Sequence, residues 1–148
     1  MDLQTVADRI EITDLLTRYA HAVDGKDWAL YRTVFTADAH IDYGTAGGPV
    51  GDLEAVIEGL TVGLGLFTRT QHFISNIAVE LDGDTARVRA MFINPMVVKP
   101  GKQFFCGGWY NHELVRTADG WRSRRLIEEA AWFDGLEAAF APDSAPKN

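Results

Sequence analysis

The chain has 148 residues, 47% of them apolar, which suits one domain with its own core and excludes disorder for the bulk of it. Fourteen Lys and Arg against 21 Asp and Glu give a net charge of −7, a balance that speaks against nucleic-acid binding. The lone cysteine, Cys106, excludes an internal disulfide, and no apolar run approaches the ~20 residues of a membrane span.

Helical spacing of Val6, Ile10, Ile12, Leu15, Leu16, Tyr19, Ala20 and Val23 predicts a first helix over 5–23, stopped by Gly25. Asp27 is placed to cap a second helix over 28–35. Alternation over 39–43 predicts a strand, followed by a glycine-rich turn over 44–51. Asp52 then caps a third helix reaching about Leu64. From Gln71 the period becomes two. Strands are predicted over 71–81, 85–98, 103–116 and 121–133, with turns at Asp82-Gly83-Asp84, Pro100-Gly101 and Asp119-Gly120. Pro95 inside the second of these argues for a bulge or an edge.

Helices first and strands after predict an α+β fold, with N-terminal helices packed in the concave face of a curved mixed or antiparallel sheet, a cone-like α+β barrel. Residues 1–140 make one domain. The tail over 141–148 is expected to be loose or docked on a neighbouring subunit.

Several residues stand out for chemistry. Ile12, Leu16 and Ala20 form a ridge at steps of four, and Asp24 is its next step, at the end of the helix. A carboxylate there must be solvated or held by a partner. Tyr19 lies five residues earlier, about 140° around the helix. If 71–81 is a regular strand, His72, Ile74, Asn76 and Ala78 share one face, mixed in polarity as a pocket wall would be. The strand around His112 leaves open which face turns inward. His21 and His40 read as surface residues, and Arg122 and Arg124 flank Ser123 as on an outer sheet face. The four histidines and one cysteine show no metal-ligand spacing, and no dinucleotide or phosphate-binding motif is present, so neither a metal nor a cofactor is expected.

The run Ile12-Thr13-Asp14-Leu15-Leu16-Thr17-Arg18-Tyr19-Ala20-His21-Ala22-Val23-Asp24 resembles the SnoaL-like, nuclear-transport-factor-2-like superfamily. Asp27-Trp28, Phe35 to Ala39, Asp42-Tyr43, Thr70-Gln71-His72-Phe73 with Asn76, and Gly120-Trp121-Arg122 continue the likeness. The pattern is nearest the scytalone dehydratase and bile-acid dehydratase branch. The resemblance implies an Asp–His pair at Asp24 and His72, with pocket tyrosines at Tyr43 and Tyr19. It further implies a pocket drawing on Trp28, Asn76, Phe92, Tyr110, His112 and Arg125. The implied activity is a cofactor-independent lyase that takes a proton from carbon beside a carbonyl of a hydrophobic cyclic substrate. A cyclase or isomerase of the same fold, or a non-catalytic ligand-binding domain, is the alternative. A homo-oligomer, dimer or trimer, is expected in the cytoplasm, with neither nucleic acid nor membrane as partner.

Overall fold

The structure, a computed structural model, describes residues 1–144. Helix α1 (Leu3–Gly25) starts on Asp2, whose side chain accepts from the Thr5 N–H, and ends where Lys26 turns left-handed at φ 51°. Helix α2 (Trp28–Arg32) starts on Asp27. It is shorter than the spacing predicts. The Thr33 hydroxyl bonds back to the Leu30 carbonyl at 2.6 Å, and the Val34 carbonyl then accepts from the Ser123 N–H. The chain has by then entered β1 (Phe35–Asp42), four residues ahead of the predicted strand. A turn of 3-10 helix (Gly44–Ala46), a short β2 (Val50–Asp52) and α3 (Leu53–Leu64) follow. The rest is β3 (Arg69–Thr70), β4 (Phe73–Asp82), β5 (Thr85–Lys99), β6 (Lys102–Thr117), β7 (Gly120–Asp134) and α4 (Leu136–Phe140), the last not anticipated.

The sheet runs β2-β1-β7-β6-β5-β3, with β4 also paired to β5, and curls into a half-barrel around α1. It is mixed, because β1 lies parallel to β7. Its concave face carries Ala86, Val88, Ala90 and Phe92 from β5, Phe104, Cys106, Tyr110 and Leu114 from β6, and Trp121 and Leu126 from β7, all buried. Against it pack Ile12, Leu15, Leu16, Tyr19 and Val23 of α1 and Val56, Ile57 and Leu60 of α3. Apolar area removed from water on this scale drives the fold.

Four expectations need correction. Val6 and Ile10 are exposed, because the face of α1 turned inward there is the one carrying Asp8. The face assignment along β4 fails after Ser75. A bulge with Asn76 at φ 49° shifts the register, so Ile74, Ile77, Val79 and Leu81 face the core and Asn76 and Ala78 are exposed. Pro95 is neither bulged nor at an edge. Its carbonyl accepts from Gln71 N–H, so its donor-less nitrogen faces the gap between β3 and β4, where no ladder bond is lost. The tail is tied to its own chain as far as Asp143, which pairs with Lys99 at 2.5 Å, while residues 145–148 lie outside those described.

Candidate active site

Asp24 ends the ridge of α1 and is half-buried. Its Oδ1 accepts from the Thr70 hydroxyl at 3.0 Å and lies 2.6 Å from Nδ1 of His72; its Oδ2 accepts from the His72 backbone N–H at 2.8 Å. The break between β3 and β4 makes this possible, since it frees the His72 N–H from the sheet ladder. A carboxylate has no proton to give, so Nδ1–H is the donor and Nε2 is turned away from Asp24. Burial works against the Asp24 charge, but the bonds from His72 and Thr70 outweigh it and hold the carboxyl below its ordinary value. The His72 side chain is 7% exposed.

One turn and a half back along α1, Tyr19 joins a second group. Its hydroxyl lies 2.9 Å from that of Tyr43, which lies 2.7 Å from that of Tyr31. Tyr43 projects from the glycine-rich turn, held by its N–H on the Pro49 carbonyl and by the Gly48 N–H on its own carbonyl. A Cβ at Gly48 would stand 2.7 Å from that of Tyr43, so the turn closes only with glycine. Burial pushes all three phenols above their ordinary values, and they stay protonated.

The floor of the cone completes the site. Phe92 stacks on Tyr110 at 4.4 Å between centroids, and the Tyr110 hydroxyl accepts from Asn94 Nδ2 at 3.1 Å. Asn94 stands opposite His72, because Thr70 pairs with Met96 and Ile74 with Phe92 on either side. His112 turns inward and is buried, with Nδ1 3.0 Å from Ser123 Oγ. That hydroxyl already donates to the Arg125 carbonyl, so it accepts from Nδ1–H and leaves Nε2 an unpartnered acceptor. Burial pushes His112 down to about 3, keeping it neutral. Trp28 packs edge-on against Tyr31 at 5.8 Å.

Asp24 and His72 are thus brought together, as are Tyr19 and Tyr43, with Phe92, Tyr110 and His112 on the same concave face. Asn76 and Arg125 are not. Asn76 shapes the exposed bulge, and Arg125 lies on the outer face beside a hollow of about 380 Å³ shared with Arg87, Arg89 and Glu113. His21 and His40 are exposed. Sequence reasoning missed Thr70, Tyr31, Asn94 and Glu128. The signal for Tyr31 was its place three residues after Trp28 on a helix; for Asn94 and Glu128 it was polarity at inward positions of otherwise apolar strands. Among the described residues, no three His, Cys, Asp or Glu side chains are grouped to hold a metal. No helix among them is long and apolar enough to cross a membrane.

The family model of the SnoaL-like domain matches residues 4–127. An uncharacterised protein of Mycobacterium tuberculosis is 40% identical over 130 residues, 86% of this chain and 88% of that one. A solved structure from Novosphingobium aromaticivorans, named a candidate aromatic ring hydroxylase, superposes with a TM-score of 0.81 at 32% identity, covering 90% of this chain and 96% of that one. Another from the same organism, a candidate scytalone dehydratase, gives 0.78 at 18% identity over 88% and 89%, a likeness of fold.

Proposed function

The chain belongs to the SnoaL-like domain family, and we propose that it is a cofactor-independent lyase whose base is His72, oriented by Asp24. The observation that carries this reading is the 2.6 Å contact of His72 Nδ1 with a carboxylate that two further donors already hold in place. The contact aims Nε2 away from Asp24 as a fixed, unprotonated base and stabilises the imidazolium once formed.

Nε2 takes a proton from carbon beside a carbonyl, and the electron pair moves onto the carbonyl oxygen as an enolate. Tyr43, with Tyr19 and Tyr31, supplies the donor. Three hydroxyls carry three protons, their two mutual contacts use two, and one is left to give. The enolate then expels a hydroxyl from the next carbon, and the imidazolium returns its proton to that leaving group as water. The aromatic walls, Phe92, Tyr110 and Trp28, suit a hydrophobic ring substrate. The name of the Novosphingobium protein 32% identical to this chain, an aromatic ring hydroxylase, favours a ring compound as well.

The test is turnover of cyclic β-hydroxy ketones, followed by loss of the hydroxyl in the product. His72→Ala is expected to lower turnover by at least ~10²-fold. Wild-type turnover in that variant would remove His72 from the chemistry, and a product that keeps its oxygen would turn the reading to isomerisation or cyclisation.

We further propose that copies of the chain pair through the outer sheet face. Phe73, Ile93 and Trp132 lie along one row there, with Met91 and Trp109 on the next, and four of the five are 40–50% exposed. A monomer by light scattering at micromolar concentration would overturn this. The single buried thiol, Cys106, fits a reducing cytoplasm.

A further inference from the structure

The mechanism leaves one side of the cone floor unused. Glu128 is 6% exposed on the inner face of β7, directly across from Tyr110 of β6. Its carboxyl makes no hydrogen bond or ion pair among the described residues. The groups around it are acids and phenols rather than cations: Asp42 of β1, Tyr19 of α1, Tyr31 of α2, and Tyr110 and Cys106 of β6. Beside it, Tyr110 already accepts from Asn94 and so has its own proton to give. Asn94 Oδ1 and His112 Nε2 are buried on the same floor without partners. A buried polar group left unpaired forfeits the hydrogen bonds it had with water and gains none in return. These two flank Tyr110 on this face, one toward each end of β6, where a ligand's polar groups would complete them.

We propose that Glu128 and Tyr110 form a second polar subsite, which takes an uncharged, hydrogen-bond-accepting oxygen of the substrate. The inference rests on the cone being the substrate cavity, but not on the role of His72. Two donors on facing positions of β6 and β7 suit a carbonyl oxygen. A carboxylate would meet Asp42 and Glu128 with no cation among the described residues to offset them. Burial, with the Asp42 charge behind it, pushes Glu128 up to about 8, so at neutral pH it presents an O–H. Glu128 is thus a specificity determinant that reads the carbonyl end of a neutral ring compound.

The experiment is calorimetric titration of the full chain with 1-indanone, indane, 1-indanecarboxylate and 1-aminoindane. At about pH 6 the ketone is expected to bind roughly 10-fold or more tighter than the hydrocarbon, the worth of one well-made hydrogen bond, and the carboxylate not at all. The preference should decline as pH rises through about 8 and Glu128 loses its proton. Glu128→Leu should abolish it. Glu128→Gln, which keeps a donor, should retain it without the pH dependence. His72→Ala should leave it intact, which separates failure of this subsite from failure of the base. Equal binding of ketone and hydrocarbon, no binding of either, or tighter binding of the amine overturns the proposal. So does a preference that survives Glu128→Leu but is lost in Tyr43→Phe.

Discussion

Helix α1 carries two inward-turned aspartates on one ridge, Asp8 and Asp24, and they meet opposite fates. They stand about 24 Å apart along the axis, and the drift of an i, i+4 ridge turns them roughly 160° from each other. Asp8 is buried under Arg116, whose Nη1 and Nη2 donate to its two oxygens at 2.7 and 2.9 Å; Trp121 Nε1 and Gln4 Nε2 add bonds at 3.2 and 2.9 Å. Arg116 also stacks over the Trp121 ring and reaches Asp84. Four donors hold Asp8, three on Oδ1 and one on Oδ2, and the Arg116 guanidinium keeps the Asp8 carboxyl well below its ordinary value. At the other end Asp24 is paired with an imidazole, which offers it one ring nitrogen and keeps the other clear of it. The same residue type on the same helix is locked under a guanidinium at one end and set against an imidazole at the other, a fastener in the first place and, on the function proposed above, the orienter of a base in the second. The partner decides.

The comparison can be broken in three ways. Arg116→Ala strips the partner from a buried carboxylate and should cost about 3 kcal/mol of stability, read as a shift in the denaturant midpoint, with turnover per folded molecule unchanged. A loss of turnover without a loss of stability would reverse the assignment. Asp24→Asn keeps the shape but removes the charge that holds Nδ1–H. It should lower turnover by at least ~10²-fold while moving the midpoint little. A matching fall in stability would make Asp24 a second fastener. Tyr43→Phe leaves the Tyr19 and Tyr31 hydroxyls without their shared partner, and should cost about 1 kcal/mol of stability alongside a partial loss of turnover.

Acid sharpens the contrast. A carboxyl held below its unfolded value contributes stability that is present above that value, 3.8 for Asp8, and is lost as pH falls through the folded one. Wild-type stability should therefore decline below about pH 4, and Asp8→Asn should flatten that limb while starting lower. An equally steep acid limb in Asp8→Asn would place the acid-sensitive group elsewhere.

Much of this was legible in the chain. Periodicity gave α1, α3 and the long strands. Asp27 and Asp52 mark helix starts through local bonds to N–H groups three residues on. The step-of-four ridge led to Asp24, and one step in the other direction would have led to Asp8. Where the reading failed, a local pattern met a non-local constraint. The bulge at Asn76 reverses the faces of β4, since a single extra residue exchanges inside for outside. Phe35 leaves the helix because β7 offers its backbone a ladder.

The sequence by itself determined the fold class, the family and the pairing of Asp24 with His72, because these rest on periodicity and on short runs in order along the chain. Only the tertiary structure decided that His72 sits in a strand break with its N–H turned to Asp24. It also decided that Tyr31 joins Tyr19 and Tyr43, that Arg125 faces outward, and that Glu128 is buried among phenols. Each of those depends on residues tens of positions apart sharing a few ångströms of space, and burial and partner choice are properties of that space rather than of any segment.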